Sequence, residues 1–129
     1  MKDFAVTITP RFYETDALGH INNIAITAWF EVLRVRLLES LGSGAASVAK
    51  NWVLASIAMD YIDETFYGSD VTMKVTGLVV GNSSLKIECQ MMQGDRLTVR
   101  GTAVLVHLDI DTKQTRRIPD ALRDRIAQL

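Results

Sequence analysis

The chain has one cysteine, two prolines and two histidines in 129 residues, which leaves several chemistries without material. A lone Cys89 can close no internal disulfide and build no cysteine metal cage, and such a chain suits a reducing cytoplasm. His20 and His107 lie far apart with no paired spacing such as H-x-x-x-H, so no metal cofactor is expected. Charge of one sign is lacking too: 14 Lys plus Arg against 15 Asp plus Glu give a net charge of −1. No overall field draws the chain to nucleic acid or an anionic membrane. No apolar run reaches the roughly 18 residues of a membrane span, and "MKDFAVTITP" lacks the apolar core of a signal peptide. The chain reads as soluble and cytoplasmic. There is no G-x-S-x-G elbow, and "LGSGAAS" lacks the lysine and preceding strand of a phosphate-binding loop.

What is present is a 48% hydrophobic composition with 22% charged residues, ample for one domain over residues 1–129 and too short for two of ordinary size. "FAVTITP" (4–10) alternates like a strand and stops at Pro10. From Ile24 to Leu41, apolar Ile26, Phe30, Leu33, Leu37 and Leu41 recur at three- or four-residue steps, which describes one long helix. Asn22 or Asn23 would cap its start, and Gly42 lies where it should end. Residues 42–51 read as a loop. Strands follow at 53–62, 70–80, 84–92 and 96–110, and the separators "GNS" and "QGD" suit hairpins, so these strands are expected to pair antiparallel in sequence. Gly101 would mark a bend or bulge. Cys89 reads as a small side chain packed on one sheet face, and His107 as a strand residue facing a partner or solvent. Residues 120–129 suit a short helix with Asp120 as cap. So apolar a helix face needs a sheet to cover it, which implies an α+β fold with an antiparallel sheet curling around the helix. Strands apolar on more than one face imply self-association.

The unusual stretch is "RFYETDALGHINNIAITAWFE" (11–31), which crowds hydrogen-bonding side chains just ahead of the helix. Asp16 precedes Asn23 by seven residues, so the chain can loop back and aim its carboxylate across the helix start. There, free N–H groups and the positive end of the helix dipole meet. Amides so placed can hold the oxyanion formed when a carbonyl is attacked, an effect of roughly 3 to 4 kcal/mol per donor. A nearby carboxylate can attack that carbonyl or activate water. The bland alternative is that Asp16, His20 and Asn22 only stabilise turns, that Glu14 is solvated and that Asn23 is a cap. Spacing alone leaves both open.

"YETDALGHINN" followed by "AWFEVLR" resembles the signature of the hotdog-fold acyl-CoA thioesterases of the 4-hydroxybenzoyl-CoA thioesterase type. The strand series, "YGSD" at 67–70 and the "LVHLDIDTKQTRRIP" ending resemble that family over nearly the whole chain. The resemblance implies a five-stranded sheet wrapped around one helix. It also implies hydrolysis of an acyl-CoA thioester to free acid and coenzyme A, with no cofactor besides the substrate's own coenzyme A. Asp16 matches the nucleophile or general base, the Asn23 amide the oxyanion donor, and His20 and Asn22 positions that shape the loop and touch substrate. A homodimer is implied as the minimal unit, with a homotetramer expected. The acyl pocket would be lined by Ile24 and Ile26 and by the facing subunit's strand near Val53 to Ile57. Ile26 stands where members often carry tyrosine, which implies a more apolar site or a different acyl group. Lys113, Arg116 and Arg117, or Arg96 and Arg100 on one strand face, would bind coenzyme A phosphates or simply be solvated. Because the fold also serves other roles, a hydratase or dehydratase and a non-hydrolytic acyl-thioester-binding module are the alternatives.

Overall fold

The computed structural model describes residues 4–42 and 51–129. The expected loop at 42–51 therefore lies mostly outside the described residues. In chain order the elements are β1 (Phe4–Ile8), a single 3-10 turn (Phe12–Glu14), α1 (Asn23–Leu41), β2 (Trp52–Tyr61), β3 (Val71–Val80), β4 (Ser84–Gln93), β5 (Arg96–His107) and α2 (Asp120–Ala127).

Helix α1 starts where the polar stretch ends because Asn22 caps it: its side-chain oxygen accepts the Ala25 N–H at 2.8 Å. Gly42 closes the helix in an extended conformation, its N–H reaching Glu39 O. Ala25, Ile26, Trp29, Phe30, Leu33, Leu37, Leu38 and Leu41 are buried, Leu33 and Leu37 completely. Each buried Leu, Ile or Phe side chain among them contributes about 1.5 to 3 kcal/mol of transfer free energy.

The strands form one antiparallel sheet in the order β1-β3-β4-β5-β2. The hairpins β3–β4 and β4–β5 are those the short separators announce. The expectation of pairing in sequence fails for β2, which crosses the molecule to pair with β5 at the far edge, while β1 takes the place beside β3. Alternate residues of β4 and β5, among them Leu85, Ile87, Cys89, Met91, Val99, Ala103 and Leu105, are buried in the core that includes the apolar face of α1. Gly101 is no bulge: it lies under Phe30, whose ring would stand 3.6 Å from a Cβ placed there.

The bulge in β5 is at Thr98. Met91 pairs with Val99 and Met92 with Leu97, so Thr98 is the extra residue and is buried beside Val99. An inserted residue shifts the alternation by one. Arg96 and Arg100, four apart in sequence, therefore do not share a face. Arg96 turns to Asp63 and Gln93, and Arg100 is exposed. His107 is also not on a free surface. It is 2% exposed, its ring packs edge-on against Trp52, and Nδ1 lies 3.3 Å from the Arg116 carbonyl. Burial holds its pKa below the usual imidazole value, the Arg116 carbonyl opposing. Asp120 is the first helical residue of α2, not its cap, and binds the Arg117 guanidinium at 2.8 Å. Among the described residues, no helix is long and apolar enough to cross a membrane.

Candidate active site

The polar stretch before α1 folds as a closed loop. The Asp16 N–H donates to His20 O at 2.8 Å and the Gly19 N–H to Asp16 O at 3.1 Å, with Gly19 at φ +80°, a conformation that suits glycine. Asp16 Oδ1 accepts the N–H groups of Leu18 (2.9 Å) and His20 (3.2 Å). Its second oxygen, Oδ2, accepts nothing from the described residues. One carboxylate oxygen thus fixes the loop and the other is left without a partner among the described residues.

The loop hangs between two supports. On one side the Asn22 N–H donates to Glu14 O at 2.8 Å. The Glu14 carboxylate in turn accepts the Arg11 N–H at 2.7 Å and the buried Trp29 indole N–H at 2.8 Å. Glu14 is therefore a brace on the core, not a solvated neighbour. On the other side the Ile21 N–H donates to Thr65 O at 2.8 Å. Residues 61–65 reach this point because the carbonyl of the bulged Thr98 accepts the N–H groups of both Ile62 and Asp63, turning the chain out of β2.

Between these supports lies a cavity of about 470 Å³ lined by Asp16, His20, Asn23 and Ile26 on one wall and by Tyr61, Asp63, Glu64 and Thr65 on the other. The start of α1 opens into it. Asn22 has taken the Ala25 amide and Ile26 N–H reaches Asn22 O, but the amides of Asn23 and Ile24 donate to no described residue. The helix start thus presents two amides without a partner among the described residues at the positive end of its dipole, and Asn23, which carries one of them, lines the same cavity as Asp16.

Of the residues singled out from the sequence, Asp16, His20, Asn23 and Ile26 line this cavity together. Asn22 does not; it acts through the cap. Ile24 is 77% exposed and does not line the cavity either, so the expectation that it lines an acyl pocket is not met within one protomer. Val53 lies at the other end of β2, 48% exposed on the edge strand. Arg116 flanks the C-terminal end of α1 beside Leu41 and Gly42, opposite Asn23, and Arg117 is engaged by Asp120. Neither basic residue lies at this cavity's mouth.

Tyr61, Asp63, Glu64 and Thr65 were not legible as site residues. Glu64 Oε1 stands 3.3 Å from His20 Nε2 and so orients the imidazole, which also meets the Phe66 ring edge-on. Asp63 is gripped by Arg96, 3.0 Å from its Oδ2, and accepts the Glu64 N–H at 2.8 Å. The Glu64 amide first and Arg96 second hold the Asp63 carboxyl below the usual carboxylate range. The Thr65 hydroxyl is buried and has no partner among the described residues. The one signal for this wall was the polar run "DET" directly after an apolar strand.

A five-stranded antiparallel sheet packed on one long helix, with a polar loop at the helix start, defines the hotdog fold. Residues 10–126 match the family model of the thioesterase-like superfamily, and the chain belongs to that family. A predicted thioesterase from Bacillus stearothermophilus superposes with a TM-score of 0.90 at 33% identity, covering 98% of this chain and 96% of that one. A thioesterase from Thermus thermophilus, solved with coenzyme A and zinc, superposes with a TM-score of 0.87 at 28% identity, covering 96% and 91%. The uncharacterized protein YsmA of Bacillus subtilis (strain 168) is 30% identical over 80 residues, 62% of this chain and 54% of that protein, so the match spans about half the relative's length.

Proposed function

We propose that the protein hydrolyses acyl-CoA thioesters, in the manner of the 4-hydroxybenzoyl-CoA thioesterase type, with no metal or redox cofactor and in the cytoplasm. The observation that carries this reading is that one cavity is lined both by Asp16, whose second carboxylate oxygen has no partner among the described residues, and by Asn23 at the helix start, whose amide has none among them either. The thioester carbonyl oxygen sits against the amides, which stabilise the charge it gains in the tetrahedral intermediate. Asp16 Oδ2 adds to the carbonyl carbon to give an anhydride that water then opens, or it takes a proton from a water that adds instead. In both routes the carbon–sulfur bond breaks, the thiolate of coenzyme A leaves and is protonated, and the carboxylic acid remains. His20, aligned by Glu64, supports the loop and faces the substrate, and Ile26 floors the acyl side of the cavity.

The active assembly in this reading is at least a homodimer, with a homotetramer as its larger form. Strand β2 is paired on one side only, and Val53, Leu54 and Ile57 are exposed along it at 48%, 44% and 39%. An exposed, apolar edge of this length is a ready template for a second strand. That coenzyme A is bound in the Thermus thermophilus structure supports the choice of thiol.

The test is free-thiol release from short aliphatic, long aliphatic and aromatic acyl-CoA thioesters, run with the protein and with Asp16→Ala. The expected result is turnover of one class and a loss of roughly a hundredfold or more in the variant. Binding of a thioester without thiol release from any class would instead make the protein an acyl-binding module.

A further inference from the structure

Arg34 is the only Asp, Glu, Lys or Arg among the described residues that is buried, at 6% exposure, in the middle of α1. It donates no hydrogen bond to a described residue and has no ion-pair partner among them. A guanidinium withdrawn from water without a carboxylate or carbonyl in hydrogen-bond contact is costly, and burial holds its pKa below the usual value, the nearby Glu31 charge opposing only in part. Proteins retain such a charge where a partner completes it.

The place of Arg34 indicates where that partner comes from. Together with Glu31, Val35 and Leu38 of α1 and Trp52 and Leu54 of β2, it lines an open groove of about 170 Å³ between the helix and the edge strand. Glu31 is exposed and lies one turn earlier on the same helix, yet it makes no ion pair with a described residue of its own chain. The groove thus carries one charge of each sign, three residues apart, which feel each other within the chain but make no ion-pair contact, beside a strand paired on one side only. A two-fold interface is self-complementary: if residue i meets j of the second copy, then j meets i. Two copies of α1 packed antiparallel about an axis at the helix middle bring each arginine opposite the other chain's glutamate.

We propose that Arg34 of each protomer pairs with the partner's Glu31 across the two-fold axis, fixing the register in which the helices and β2 edges meet. The inference rests on the homodimer reading given above and adds its charge code. Like charges that face each other oppose any other register.

The experiment uses sedimentation equilibrium on the full chain, on Glu31→Arg, on Arg34→Glu and on an equimolar mixture of the two variants. Each variant alone carries two like charges in its groove and is expected to raise the dimer dissociation constant about a hundredfold, roughly tenfold for each of the two pairs. The mixture is expected to recover association to within about tenfold of the parent. Since neither variant can form the pair within one chain, recovery can arise only between chains. A parent protein that sediments as a monomer overturns the homodimer reading and this inference with it. A dimeric parent whose variants remain dimeric, or whose mixture does not recover, overturns the pairing and leaves the dimer standing, with Asp60 on β2 the next carboxylate to try. Should Arg34→Glu fail to fold by circular dichroism, Glu31→Gln and Arg34→Met are combined in a double-mutant cycle. Coupling above about fivefold supports the pair and anything less refutes it.

Discussion

Two acidic residues sit two positions apart in "YETD", and the structure gives them opposite duties, which the substitution Glu14→Ala can separate. Glu14 touches neither of the free amides nor Asp16; its carboxylate holds the Arg11 N–H and the Trp29 indole N–H. Trp29 is 5% exposed, so removal of the carboxylate leaves a buried donor without a partner and costs about 2 kcal/mol. With an unfolding entropy of about 2.1 cal/mol/K per residue over 129 residues, that loss lowers Tm by about 7 °C. The assay is thermal unfolding followed by tryptophan fluorescence, with thiol release measured well below the transition. Glu14→Gln keeps one acceptor for the indole and is expected to lose about half as much. Turnover at low temperature should stay within a few-fold of the parent in both variants, in contrast to the collapse expected for Asp16→Ala. An unchanged Tm together with abolished turnover in Glu14→Ala would refute this reasoning and move Glu14 into the chemistry.

Two further outcomes are expected. The folded-state pKa of Asp63 is depressed by the Glu64 amide and Arg96, so its contribution to stability is present above the unfolded-state value of about 3.9. That contribution is lost as pH falls through the lower folded value, and the gap in urea midpoint between parent and Asp63→Asn should be open at pH 6 and shrink toward pH 3. Burial pushes the Cys89 thiol up to about 12, so the native protein at pH 8 should not react with a thiol reagent over minutes, whereas one equivalent should be labelled in guanidinium.

The helix, its cap and the two hairpins were legible because each is set by neighbours in sequence: a three- to four-residue apolar step, an asparagine before it, separators of three residues. The position of β2 was not, since its pairing with β5 joins distant segments and no local pattern encodes which edge a strand will take. Thr98 shows the same limit on a finer scale. One inserted residue reverses the facing of everything beyond it, and so a four-residue spacing misplaced Arg96 relative to Arg100. His107 looked like a surface residue because alternation cannot say that Trp52 and the chain near Arg116 close over it. Asp16, His20 and Asn23 could be grouped as candidates because they crowd into one short stretch of sequence, and one cavity is lined by all three. Glu64 was missed because it meets His20 only after the bulge has turned residues 61–65 toward the helix start.

The ties that hold this site together have a kinetic consequence. Ile21 to Thr65, His20 to Glu64 and Arg96 to Asp63, the last 33 positions apart, all close large loops, whereas the hairpins and α1 need only local contacts. Loop-closure entropy delays such contacts, like the equally distant pairings of β2 with β5 and β1 with β3, until α1 and the two hairpins have formed. The corner at the start of α1 therefore forms after α1 and the hairpins during folding, together with the β2 edge. The same ordering exposes it early when the native state opens, so activity should return after the hairpins have refolded and should report on native packing more strictly than secondary structure does.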